Sequence, residues 1–147
     1  MERTLVIIKP NGVQRELVGQ LISRFERRGL KITALKMATI DHGTASEHYR
    51  EHLGKPFYED LISFITSAPS VVMLLEGERA VSLVRRMVGD TDPAEAEPGT
   101  IRGDYATTVG HNMIHASDSV ASARRELELF FAPSEIQSYT LSVRPWL

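Results

Sequence analysis

Thr4-Leu5-Val6-Ile7-Ile8 and Val71-Val72-Met73-Leu74-Leu75 are the two stretches on which the fold turns. Each is a run of strand length that is apolar almost throughout. A strand with one solvated face alternates apolar and polar side chains, so an unbroken run marks a strand buried on both faces. Two such strands belong at the centre of a sheet.

Outward from the first run, Pro10-Asn11-Gly12 reads as a turn. Val13, Leu17, Leu21 and Phe25, supported by Val18 and Ile22, recur at helical period. Arg24, Arg27 and Arg28 suit the negative end of that helix dipole, and Gly29 stops it. Leu30–Ile40 alternates with a break in phase: Leu30, Ile32 and Ala34 share one face, Leu35 and Met37 the other. That predicts a long strand with a bulge near residues 34–35. Thr44-Ala-Ser-Glu47 reads as a capping box opening a helix to about His52. Pro56 opens another, to about Thr66.

Beyond the second run, Ala80, Val84, Met87 and Val88 mark a helix closed by Gly89. Residues 90–112 are irregular, with Pro93, Pro98, Gly99, Gly103 and Gly110. A segment of that length is functional or disordered, and is too long to pack on its own core unaided. Met113–Ala116 reads as a short last strand, and Ser117-Asp118-Ser119 as the start of a helix carrying Val120, Leu127 and Phe130. The order strand–helix–strand–(helices)–strand–helix–strand–helix predicts an α+β fold: a ferredoxin-like split βαβ sandwich, with a four-stranded antiparallel sheet covered by helices. At 147 residues, with no linker or repeat, the chain is expected to be a single domain over 1–147.

Composition narrows the chemistry. The chain has no cysteine, which excludes disulfides, thiolate metal sites and a thiol nucleophile. Its 17 Lys+Arg against 19 Asp+Glu leave a net charge of −2, so no global basic field favours nucleic acid or an anionic membrane. The longest uncharged run, Leu61–Leu75, is broken by Ser67, Pro69 and Ser70 and is too short to span a bilayer. Glu2 and Lys9 flank the first apolar run and argue against a signal peptide. The expectation is a cytoplasmic protein without a membrane or stable nucleic-acid partner.

No Walker A loop, Rossmann fingerprint or protein-kinase signature set is present. Lys9, directly after a buried strand, can reach into a cleft at the sheet edge, or can simply be solvated there. Arg85 and Arg86 precede the long loop, which carries Thr91, Thr100 and Arg102; guanidinium forks on a glycine-containing loop match phosphate oxygens, surface charge being the alternative. His111 and His115 stand at i, i+4, a spacing that would share one metal ion on a helix but not on a strand. Asn112 occupies the place where a zinc protease motif has its glutamate, so no residue is assigned as a metal ligand. His115 also lies two residues before a polar helix start, and Glu126 falls on that helix. That pairs a candidate nucleophile with a carboxylate able to orient it. Tyr49 and Phe57 are aromatics that either cover a flat ligand or pack in the core.

These segments together resemble the nucleoside diphosphate kinase family. The likeness rests on Glu2-Arg-Thr-Leu, Ile8-Lys-Pro-Asn-Gly-Val13, His48-Tyr49, Lys55-Pro-Phe57, Gly89-Asp-Thr-Asp-Pro93, Pro98-Gly-Thr-Ile-Arg-Gly-Asp104 and Asn112-Met-Ile-His-Ala-Ser-Asp-Ser119. It covers essentially the whole chain. It implies transfer of the γ-phosphate of a nucleoside triphosphate to a nucleoside diphosphate, by a ping-pong route through a phosphohistidine at His115. Glu126 and Ser117 would orient and support that ring. Lys9, Tyr49, Arg85, Thr91 and Arg102 match the phosphate-binding set, and His52 falls where some members place a further phosphate contact. Lys9 and Asn112 match contacts to the ribose, and Phe57 and Val109 the two sides of the base. Mg²⁺ would arrive on the nucleotide phosphates, and the chain would assemble as a homo-oligomer, a hexamer being the commonest state. Asn11 stands where many members have Asp, Ala116 where many have Gly, and the sequence ends at Trp146-Leu147.

Overall fold

β1 (Glu2–Ile8), β2 (Lys31–Ala38), β3 (Ser70–Gly77) and β4 (Ile114–Ala116) form one antiparallel sheet, ordered β2-β3-β1-β4, in the computed structural model of residues 1–147. The two apolar runs are central neighbours, paired from Glu2 opposite Gly77 to Ile8 opposite Val71. Their side chains alternate between two cores. Val6, Ile8, Met73 and Leu75 pack with Leu21 and Phe25 of α2 (Val18–Arg27) and Val84 and Val88 of α5 (Ala80–Val88). Leu5, Ile7, Val72 and Leu74 pack with Ala45 of α3 (His42–His48), Ile62 and Ile65 of α4 (Tyr58–Thr66) and Phe130 of α7 (Val120–Phe130). Helices therefore cover both faces of a ferredoxin-like α+β sheet. Burying one Leu or Ile contributes about 1.5–3 kcal/mol, which is why the central strands tolerate no polar alternation.

Local capping moves several expected boundaries. Pro10-Asn11-Gly12 is not a turn but the start of a short helix, α1 (Pro10–Gln14). Proline at the first helical position gives up only an N–H that has no acceptor within the helix. Glu16, at φ 58°, then breaks the apolar stripe, so Val13 and Leu21 lie on different helices. The helix expected from Thr44 begins at His42, because the Asp41 carboxylate accepts the Thr44 N–H at 2.7 Å and caps it first. α4 begins at Tyr58, two residues past Pro56. The bulge in β2 sits at Thr33, where the register slips between Ile32 and Ala34. The Thr33 carbonyl accepts the N–H of Gln137 at 2.8 Å, so the C-terminal segment closes over the bulge.

The long irregular segment does pack on its own chain. It contains α6 (Ile101–Tyr105), capped by Thr100, whose hydroxyl accepts the Gly103 N–H at 3.0 Å. Ile101 is fully buried in the first core. Asp104 accepts the Gly99 N–H at 2.8 Å and pairs with Arg24 of α2. A Cβ on Gly103 would fall 2.0 Å from the Glu97 carbonyl oxygen. Backbone cannot yield as a side-chain tip can, so Gly103→Ala is expected to cost about 1–3 kcal/mol of stability. Urea unfolding measures this, and an unchanged midpoint would show that the loop can open at no expense.

Candidate active site

A cavity of about 410 Å³ lies where β1 and β4 end, between α3, α7 and the long loop. Lys9, Tyr49, His52, Phe57, Arg85, Thr91, Arg102, Val109, Asn112, His115 and Glu126 all line it, and Ser117 is buried beneath it.

His115 sits on β4 opposite Ile7 of β1, so strand pairing fixes its Cα. Ser119 caps α7 by accepting the Ser122 N–H at 3.0 Å, and two turns later Glu126 falls beneath β4. Glu126 Oε2 lies 2.8 Å from His115 Nε2, and the Ser117 hydroxyl donates to Oε1 at 2.6 Å. Ser117 is itself held by the Leu5 N–H, which donates to Oγ at 3.0 Å. Burial pushes the Glu126 carboxyl up, but its hydrogen bonds with His115 and Ser117 outweigh this and hold it below the usual carboxylate range. An ionised carboxylate only accepts, so the neutral imidazole carries its proton on Nε2 and its lone pair on Nδ1.

Three cations converge on the same cavity. Lys9 follows β1 and is 7 % exposed; its Nζ donates to Asn112 Oδ1 at 2.9 Å. Burial, reinforced by the charge of Arg102, pulls this ammonium down to about 7. Arg102 is 3 % exposed, and its guanidinium donates to the carbonyls of Gly89, Ile114 and Asn112 at 3.0, 2.7 and 3.4 Å. Burial, then Arg85, lowers it to about 10, which leaves it charged. Arg85 on α5 donates to the Ala116 carbonyl at 3.1 Å. The Tyr49 hydroxyl, raised by burial and by the Glu126 charge, stays protonated. Asn112 also donates to the Thr91 carbonyl at 3.2 Å, which brings the start of the long loop to the rim.

The mouth is different in kind. Phe57 is 46 % and Val109 55 % exposed, so two apolar side chains face outward at the cavity entrance. His52 stands between Tyr49 and Phe57, its ring centroid 6.2 and 5.4 Å from theirs.

His111 does not join His115: it is exposed, its ring lies 4.8 Å from Phe64, and it lines a separate groove. Arg86, in contrast to Arg85, lines a different cleft of about 440 Å³ beside Gly29 and Arg79. The sequence reading passed over His48, Asp118, Ser122 and Arg125, which also line the cavity. His48 packs edge-on against His115, with ring centroids 4.6 Å apart at 84°. Burial, then the proximity of His115, lowers it to about 3, so it is neutral. Its only signal in the sequence was its place beside Tyr49.

The geometry thus joins an oriented imidazole to buried cations suited to phosphate oxygens. A family model described as nucleoside diphosphate kinase matches residues 2–136. The nucleoside diphosphate kinase of Listeria monocytogenes serotype 4a is 54 % identical over 147 residues, all of both chains. That of Sulfurisphaera tokodaii is 59 % identical over 136 residues, 92 % of each. The solved structure of the Halobacterium salinarum nucleoside diphosphate kinase in complex with CDP superposes with a TM-score of 0.97 at 46 % identity, covering 99 % of this chain and 97 % of that one. With the fold, the site and this likeness in agreement along its length, the chain belongs to the nucleoside diphosphate kinase family.

Proposed function

We propose that His115 is the residue through which this chain moves the γ-phosphate of a nucleoside triphosphate to a nucleoside diphosphate. The observation that carries the reading is the Ser117–Glu126–His115 relay, which presents Nδ1 as a nucleophile. Nδ1 attacks the γ-phosphorus, the bond from that phosphorus to the β–γ bridging oxygen breaks, and the nucleoside diphosphate leaves. A terminal oxygen of a second nucleoside diphosphate then attacks the phosphorus, the P–N bond breaks, and His115 is restored. Glu126 balances the positive charge that the ring gains as the P–N bond forms, and Ser117 holds Glu126 in place.

Phosphoryl transfer asks for positioning and charge neutralisation rather than covalent work elsewhere. Lys9, Arg85 and Arg102 meet the phosphates, with Tyr49, Thr91 and His52 completing that end. Lys9 and Asn112 reach the ribose. Phe57 and Val109 enclose the base from its two sides, and stacking on a π face reads no particular base edge. Glu126 is committed to His115 and Ser117, and the Asp118 carboxylate at the rim is held by Ser122 and Ser119. The donor set therefore suits a Mg²⁺ held chiefly by phosphate oxygens and water. That ion would supply countercharge to the phosphates. Residues 1–147 act as one catalytic domain in the cytoplasm, where the nucleotide substrates are.

His115→Ala is expected to leave nucleotide binding near wild type and to lower transfer by more than about a thousandfold. γ-Labelled ATP should leave an acid-labile, base-stable label on the wild type and none on the variant. A labelled His115→Ala protein would place the phosphoryl group on another residue. Glu126→Gln should slow labelling without abolishing it.

Lys9 predicts a proton linkage. At about pH 8 an ammonium lowered to about 7 is mostly neutral. A phosphate beside it favours the charged form, so nucleotide binding should take up a proton, and affinity should fall as the pH rises above 7. Calorimetry in buffers of different ionisation enthalpy reads the uptake, and Lys9→Gln should remove it. Zero uptake or release in the wild type would mean that Lys9 does not meet the phosphates.

Assembly follows from an uncovered edge. β2 has a neighbour on one side only, and Leu35 and Met37 on it are 50 % and 60 % exposed. Pairing of two such edges makes a dimer and hides them, and three dimers make the hexamer common in this family. Sedimentation equilibrium should give a species near six times 16.4 kDa; a stable tetramer or a free dimer at micromolar concentration would defeat the hexamer.

A further inference from the structure

We propose that His48, His115 and Glu126 form an inhibitory site for a zinc-class transition-metal dication, separate from the Mg²⁺ carried by nucleotide phosphates. One ligand atom from each residue lies within 4.8 Å of the others. Glu126 Oε2 is 2.8 Å from His115 Nε2 and 3.7 Å from His48 Nδ1. Four-coordinate zinc, with bonds of about 2.0–2.2 Å, sets neighbouring donors roughly 3.3–3.5 Å apart. The first gap must open by about half an ångström and the others close, which are small side-chain rotations for such an ion.

His48 supplies the independent reason. It is buried, and neither of its ring nitrogens has a hydrogen-bond partner. Buried polar atoms are ordinarily satisfied, so an imidazole left without partners beside a carboxylate needs an explanation.

Two imidazole nitrogens and one carboxylate oxygen suit zinc, cobalt or copper, whereas Mg²⁺ prefers oxygen alone. The nucleotide-borne ion therefore does not compete for this place. Lys9 and Arg125 set positive charge near His48, which weakens the site relative to a structural zinc centre and makes binding reversible. On binding, the single proton of the neutral His115 ring moves from Nε2 to Nδ1, Nε2 binds the metal, and Glu126 and His48 bind without releasing a proton. His115 then loses the Glu126 carboxylate as its partner and carries its proton on Nδ1, which has no lone pair left for attack on phosphorus.

The test uses untagged full-length protein, with Co²⁺ as the spectroscopic probe and Zn²⁺ as the inhibitor. Without nucleotide, the protein should take up one Co²⁺ with the intense visible bands of a four-coordinate ion and lose the bands to Zn²⁺. Buffered Zn²⁺ in excess Mg²⁺ should inhibit transfer, and a chelator should restore it. His48→Leu should weaken Co²⁺ binding by about tenfold or more and relieve Zn²⁺ inhibition to the same degree. His48→Gln, which keeps a polar side chain of similar bulk, serves if the leucine variant fails to fold. Absence of four-coordinate bands, Co²⁺ affinity unchanged in the folded His48 variant, or Zn²⁺ inhibition indifferent to it overturns the site. The cobalt titration needs no catalysis, so its failure is distinguishable from failure of His115 as phosphoryl carrier.

Discussion

A charge taken out of water must be paired or hydrogen-bonded, and this chain buries three at one end of its sheet. An unpaired buried ion costs several kilocalories per mole, a large share of the stability of a domain this size. Glu126 meets the constraint through Ser117 and His115, and Arg102 through three backbone carbonyls. Lys9 meets it only in part: one amide oxygen holds its ammonium, and its affinity for a proton falls. The two satisfied groups are structural ties, and the unsatisfied one is where a ligand's negative charge is still needed.

Those ties explain why the site depends on the whole fold. Ser117 reaches Glu126 only because it also binds the Leu5 N–H, so β1, β4 and α7 are fastened at one point. Arg102 fastens the long loop to the end of α5 at Gly89 and to β4 at Ile114. Gly89, at φ 91°, turns there with no room for a side chain: a Cβ would lie 2.4 Å from the Thr100 hydroxyl that caps α6. Loop and sheet thus set the Arg102 position together. A loop docked this way presents preorganised donors, which is the form of catalysis that phosphoryl transfer rewards.

The sheet was legible because burial on both faces leaves its mark residue by residue in 4–8 and 71–75. Local hydrogen bonds were less so. Asp41 outcompetes Thr44 as a cap, and Glu16 adopts a left-handed conformation that no periodicity announces. The relay was legible where it is short in sequence, from His115 to Ser117 and Glu126, since one strand–helix turn carries all three. Pocket residues from elsewhere were found through the family resemblance, because spacing alone says nothing about contacts between distant segments. His48 shows the limit. It touches His115 across the sheet end, yet an isolated histidine on a short helix reads as any surface or core histidine.

The cavity is graded along its length, and under the proposed function the gradient matches what each end recognises. At the inner end Lys9 and Arg102 are buried and held by hydrogen bonds, and a misplacement there would be felt directly in the proposed transfer. At the mouth Phe57 and Val109 are exposed apolar surfaces. The polar neighbours at that end, Lys55 and His52, lie 3.2 Å apart through Nζ and Nδ1, and Lys55 also sits 5.8 Å from the centre of the Phe57 ring. Hydrogen-bonding groups built to read a base edge would reject the wrong base strongly, by leaving a buried polar group unpaired. An open stacking surface carries no such penalty. The proposed binding mode therefore puts rigidity where every nucleotide is alike, and tolerance where nucleotides differ.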